Sequence, residues 1–283
     1  MPVAFVTDST AYIPEPLVKE YSITVAPQVL IWGDETFRDG VDIQPDEFYA
    51  RLKTAKVMPS TSQVAVLTMQ DIFQDLLNKG FDVLGVFISA KLSGTMQSAV
   101  QGREALGAGA SKVTIIDSST TAMAMGFQVL TAARAARQGA KIAECQALVE
   151  KSRDHVGVYF AVDTLEFLHR GGRIGGAQRF IGSALNLKPI LALREGEVVA
   201  IDRVRTKGKA LDRLLEEVAR DVRGKGNVHL ATLHANAEKE ARGVLDRATR
   251  ELHAVESVLS SVSPVVGTHA GPGTVGLAYM AGM

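Results

Sequence analysis

The residues in this sequence whose types and spacing suit chemistry are hydroxyls, one arginine and one histidine. In ISAKLSGTMQSA (88–99) an apolar run ends, and Ser93, Gly94 and Thr95 precede a helical pattern. A helix N-terminus leaves backbone N–H groups unpaired and partly positive. Hydroxyls placed there make a small anion pocket, beside the plainer reading of Ser93 as a helix cap. PSTSQ (59–63) holds a second cluster, Ser60, Thr61 and Ser62, which reads as a polar loop. In DTLEFLHRGGRIGG (163–176), Asp163 or Thr164 can cap a short helix that the double glycine ends. Arg173 can then offer its planar fork to a carboxylate or phosphate, or simply occupy a surface turn.

HAGPGTVG (269–276) contains G-x-G-x-x-G, at Gly271, Gly273 and Gly276. That spacing binds dinucleotides only between a strand and a helix, with an acidic residue about 20 positions on. Seven residues follow Gly276 here, and Pro272 suits a tight turn. The glycines are therefore expected to bend the chain and aim His269, with Gly276 in a final strand.

Other chemistries lack their residues. Glu166 and His169 have E-x-x-H spacing, but a carboxylate-bridged metal pair needs two copies and two further glutamates. No H-E-x-x-H, G-x-S-x-G or G-x-x-x-x-G-K-[ST] occurs. No metal, no cofactor and no catalytic residue is expected. Lys+Arg and Asp+Glu are both 31, a balance that argues against a nucleic-acid binder. One cysteine, Cys145, excludes an intrachain disulfide and fits a reducing compartment. MPVAFVTDST lacks the basic and long apolar regions of a signal peptide, and no apolar run reaches membrane-spanning length. A cytoplasmic protein is expected.

The elements that must position these residues alternate. VAFVT and ITVAPQVLI read as strands and PDEFYARLKT as a helix. Thr68–Asp71 reads as a capping box opening MQDIFQDLLNKG. DVLGVFIS and KVTIID follow as strands, then two Ala-rich helices to about residue 154. Such alternation implies an α/β domain with a mainly parallel sheet over 1–155. From 156 to 283 the pattern changes to an α+β domain with a mainly antiparallel sheet. LKPILAL and EVVAIDRV form a hairpin about REGE, helices lie near 207–222 and 237–252, and the last segment is free to pack on the first domain. VTDST (6–10) and IIDSST (115–120) both put Asp-Ser after an apolar run, where a parallel sheet gathers its ligands.

In order and spacing, these stretches resemble the DegV family of bacterial fatty-acid-binding proteins, which includes FakB, the lipid-carrying subunit of fatty acid kinase. The resemblance runs over nearly the whole chain: VTDST, RDGVDI (38–43), PSTSQ, SAKLSGTMQSA, the DTLEFLHRGGRI block, SALNLKPIL (183–191), RVRTKGKAL (203–211) and VGTHAGPGTVGLAY. It implies two domains with one long-chain fatty acid buried between them. The carboxyl group would be held around Thr61, Ser62, Ser93, Gly94, Thr95 and His269, with Arg173 near the exposed end. It also implies an ATP-binding fatty acid kinase subunit as partner, which converts the bound acid to an acyl phosphate, and transient contact with a membrane surface. Val64 and Met96 stand where the family usually has proline and tyrosine, which bears on pocket width.

A palmitate-sized tail buries about 15 carbons, roughly 12 kcal/mol of gross driving force before association costs. Phe87, Leu92, Met96, Phe160 and Leu165 neighbour the motifs and are candidate wall residues. An ionised head group needs paired donors, which gives the scattered hydroxyls one purpose. Two other readings use the same pocket. One is a stand-alone enzyme on a small carboxylate built from Asp8, Ser93 and His269; the other is a lipid-sensing regulator.

Overall fold

The computed structural model describes residues 1–182 and 187–283. Ser183, Ala184, Leu185 and Asn186, the start of the SALNLKPIL stretch, lie outside the described residues. The first half runs β1 (Val3–Asp8), α1 (Glu15–Glu20), β2 (Thr24–Ala26), β3 (Val29–Trp32), β4 (Glu35–Arg38), α2 (Pro45–Leu52), β5 (Ser60–Ser62), α3 (Val66–Asn78), β6 (Asp82–Phe87), α4 (Thr95–Glu104), β7 (Val113–Asp117), α5 (Ala122–Arg137) and α6 (Ile142–Ser152). The second runs β8 (Val156–Ala161), α7 (Glu166–Arg170), β9 (Lys188–Arg194), β10 (Glu197–Val204), α8 (Lys207–Val222), β11 (His229–His234), α9 (Glu238–Glu251), β12 (Glu256–Ser261), α10 (Pro264–Ala270) and β13 (Val275–Met280).

The fold is α/β. A parallel sheet of order β2-β1-β6-β7 occupies the first half, and a mainly antiparallel sheet of order β10-β9-β8-β13-β11-β12 the second. Both faces of the parallel sheet are buried, as its near-continuous apolar strands require. Ala4, Val6, Val83 and Phe87 meet Met69, Phe73 and Leu76 of α3 on one face. Phe5, Leu84 and Val86 join α5 and α6 on the other. Every residue of α5 from Ala122 to Leu130 is buried. A helix apolar all round needs walls on all sides, and α5 has them, packed against both β1 of the first sheet and β8 and β13 of the second. One apolar core therefore runs through both halves. The back face of the second sheet carries Tyr159, Ala192, Leu230 and Leu277 under the apolar stripes of α8 and α9.

Several local expectations give way. ITVAPQVLI is two strands, β2 in the parallel sheet and β3 in a three-stranded sheet of order β4-β3-β5, because Pro27 breaks the ladder between them. PSTSQ is strand rather than loop, since Thr61 pairs with Leu30 of β3. Helix α3 starts at Val66, capped by Ala65 without a side-chain bond, so Thr68 lies inside the helix and forms no capping box. The hairpin about REGE forms as expected, its turn residues Glu195 and Gly196 both at positive φ, which matches the strand twist. Among the described residues, no helix is long and apolar enough to cross a membrane.

Candidate functional site

A cavity of about 990 Å³, its mouth included, lies between the two sheets. Its floor is the front face of the second sheet: Val158 and Phe160 of β8, Leu193 of β9, Val198 of β10, Leu233 of β11 and Gly276 of β13. Helix α10 forms one wall through Val265, Val266 and His269, with Val262 just before the helix beside them. The three helical residues fall at i, i+1 and i+4, on one side of the helix. The first half contributes Ile88, Leu92 and the start of α5. The wall is apolar apart from two groups of polar residues.

The first polar group unites most of the residues singled out by type. Thr61, Ser62, Ser93, Arg173 and His269 all line the cavity, although they come from four separate stretches of chain. Thr61 Oγ1 and His269 Nε2 share a hydrogen bond of 2.8 Å. The ring is mostly buried, and burial pushes its pKa down to about 4, with the Arg173 guanidinium adding to the effect. His269 is thus neutral at pH 7, and its Nδ1 is buried without a partner among the described residues. Arg173 donates from Nε to the Leu92 carbonyl (3.0 Å) and from Nη1 to the Gly171 carbonyl (2.7 Å). It has no acidic partner among the described residues.

Gly94 and Thr95 do not reach the cavity wall. Thr95 is fully buried, its hydroxyl 3.0 Å from Ser93 Oγ, and its N–H donates to that oxygen at 3.3 Å. Ser93 thus takes up an orphan N–H at the start of α4 while its hydroxyl faces the cavity. Gly94 supplies space: a Cβ there would lie 3.0 Å from the amide carbon of Gln63, which does line the cavity. Of the candidate wall residues, Leu92 and Phe160 take part. Phe87, turned away by strand alternation, and Met96 of α4 belong to the core on the far side of the parallel sheet, and Leu165 to the central core.

The placement of His269 also corrects an expectation. It sits in the last turn of α10, a helix with Pro264 at its first position. The helix aims the ring, while Gly271 and Gly273, at φ +77° and +80°, end it and turn the chain into β13. Sequence reasoning also missed Gly171. A Cβ there would lie 2.1 Å from His269 Nδ1, so the glycine after α7 makes room for the imidazole as well as ending the helix. Lys207, from RVRTKGKAL, donates to the Gly273 carbonyl and pairs with Asp163 (3.3 Å), tying down the same turn.

The second polar group contains Thr10, Tyr12, Gln28 and Thr121. Asp8 positions it. Its wholly buried carboxylate accepts from Thr10 N and Oγ1 (3.0 and 2.6 Å), Gln28 Nε2 (3.2 Å) and Ile88 N (2.8 Å). Asp117 of the IIDSST echo does similar work, accepting from Ser119 N and Ala90 N. With Asp8 so engaged and His269 bonded to Thr61, no Asp8–Ser93–His269 relay is assembled.

The fold is α/β, with an apolar cavity between its sheets and hydroxyl, imidazole and guanidinium groups gathered on one part of the wall. The model of the DegV family, described as uncharacterised proteins, matches residues 2–282, and the chain belongs to that family. It is 35% identical over 281 residues to a DegV domain-containing protein of Clostridium perfringens, covering 99% of each. A fatty-acid-binding DegV family protein from Thermus thermophilus superposes with a TM-score of 0.91 at 32% identity, over 99% of this chain and 100% of that one. DegV of Bacillus subtilis, described as a fatty acid binding protein, gives 0.90 at 32% over 99% of both.

Proposed function

We propose that this chain binds one long-chain fatty acid in the cavity. Its carboxyl group would rest among Thr61, Ser62, Ser93, His269 and Arg173, and be presented to a separate ATP-binding kinase subunit that phosphorylates it to an acyl phosphate. The observation that carries the reading is a mismatch of charge: the wall offers hydroxyls, an imidazole and a guanidinium, and no carboxylate of its own. A bound acid supplies the missing anion, and the apolar remainder of the wall takes its tail. Gly94 and Thr95 act behind Ser93 rather than on the ligand. The solved relatives described as fatty acid binding support the ligand class.

In this reading the chain is a carrier that works in the cytoplasm and exchanges lipid by transient contact with a membrane surface. Residues 1–155 and 156–283 act as two domains with the ligand between them. Native mass spectrometry of the purified protein should show one added long-chain acid. A clean apo mass after incubation with palmitate would overturn the reading. The kinase step has its own test. ADP release by the ATP-binding subunit with palmitate should depend on this chain, and equal release without it would remove the presenting role.

A further inference from the structure

Strand β13 is asymmetric. Its back face carries Val275, Leu277 and Tyr279, all packed in the core beneath α8 and α9. Its front face carries Thr274, Gly276, Ala278 and Met280. Helix α5 covers the far end of that face, where Thr131 Oγ1 lies 3.4 Å from Met280 Sδ. At Gly276 the face opens onto the cavity. Register puts Leu233, Gly276 and Phe160 in one row across three strands, all facing the cavity.

The backbone does not explain this glycine. Its φ is not positive, and glycine in a strand interior costs stability without packing anything. Nor do neighbours crowd it. A Cβ would lie 3.4 Å from Leu233 Cδ1, 3.5 Å from Phe160 Cβ and 3.5 Å from the Tyr159 carbonyl, all ordinary contacts. An alanine therefore fits the protein, and what it displaces is cavity. The other close-packed glycines of this region, Gly171 and Gly271, meet protein atoms inside 3 Å.

We propose that Gly276 sets the depth of the acyl cavity, so that side-chain volume at position 276 decides how long a hydrocarbon chain the protein accepts. The inference rests on the fatty acid reading above. Position 276 follows the His269 turn by two strand residues beyond Thr274, whose hydroxyl donates to the Ala270 carbonyl (2.8 Å). Gly276 thus lies about 7 Å along the strand from Thr274, and both residues line the same cavity as His269, so the Leu233–Gly276–Phe160 row lies in the cavity that holds the tail.

The test is a ladder of saturated acids, hexanoate to stearate, titrated against delipidated parent, Gly276→Ala, Gly276→Leu and His269→Ala, with thermal melting of each. Gly276→Ala should melt no lower than the parent. It should weaken stearate binding by about tenfold, the discrimination that one methyl group exerts in an apolar pocket, while changing hexanoate little. Gly276→Leu should steepen that dependence on length. His269→Ala should weaken all lengths alike. A parallel ladder for Gly276→Ala, unchanged or shifted equally at every length, overturns the role of Gly276. A parent that binds no acid of any length overturns the underlying reading instead.

Discussion

Helix α10 has a polar cluster at each end, and the two are opposites. At its N-terminus the protein supplies the carboxylate. Asp39, buried, accepts from Ser9 Oγ (2.6 Å) and from Val265 N (3.1 Å), an orphan donor of the helix's first turn. Burial raises its pKa to about 6, against the lowering effect of the Ser9 and Ser263 hydroxyls. At the C-terminus the cluster is His269, Thr61 and Arg173, and it holds no carboxylate. The first cluster is closed and holds the helix in place. The second holds no carboxylate, and in the proposed reading a bound acid supplies the anion. Burial alone does not separate a structural polar cluster from a binding one; the balance of donors and acceptors does.

Asp39→Ala should break the comparison at its closed end. The substitution leaves the Ser9 hydroxyl and the Val265 N–H without an acceptor, for a loss of about 3 kcal/mol in urea unfolding. Asp39→Asn keeps one acceptor oxygen and should lose less. Unchanged stability in the alanine variant would mean that the cluster does not hold α10.

Arg173→Ala acts at the open end. Losing a charge-assisted hydrogen bond should weaken palmitate binding by about 2 kcal/mol, about thirtyfold. Binding of the methyl ester, which has no charge to pair, should change little, and calorimetry with both ligands separates the two. Equal losses for acid and ester would assign Arg173 to the wall alone, through its bonds to Leu92 and Gly171.

The two ends also differ in how far the sequence reveals them. The hydroxyls, Arg173 and His269 stand out by residue type, and so do most strands and helices by period. What joins them does not. RDGVDI reads as a motif without a purpose until Asp39 is seen capping a helix more than 200 residues later. That helix was hidden because SPVVGTHA is short and runs into a glycine-rich turn, although Pro264 at its first position marks its start. Gly171 likewise reads as a helix end, since close approach of a distant side chain leaves no local signal. Thr95 and Gly94 drew attention as hydroxyl and helix start, yet strand and helix geometry set them behind Ser93.

Gly171→Ala sharpens the open end at smaller cost. Its φ of −77° suits alanine, so the backbone carries no strain. The added methyl meets the imidazole and should push it off Thr61. Palmitate affinity should fall about tenfold, close to 1.4 kcal/mol. The same change in a His269→Ala background should have no further effect, because the two act through one ring. Additive losses would place the effect elsewhere.

The smallest effect is on stability against pH in delipidated protein. The folded pKa of His269, about 4, lies below its unfolded value of about 6.5. Between those values the unfolded chain binds the extra proton, so acid favours unfolding. The ring's contribution is complete above about pH 6.5 and is lost as pH falls toward 4. Asp39 runs the other way, because its folded pKa of about 6 lies above the ordinary value, and its contribution is lost as pH rises through 6. The two partly cancel in the parent. They separate when the parent is compared with His269→Asn at each pH, since Asp39 is common to both. Relative to that variant, the parent should lose about 1 kcal/mol between pH 7.5 and 5.5. Palmitate should reduce the loss, because a carboxylate beside the ring favours its protonated form. A parent-minus-variant difference that stays flat across this range, with and without palmitate, would show that His269 is not the buried neutral ring that the open cluster requires.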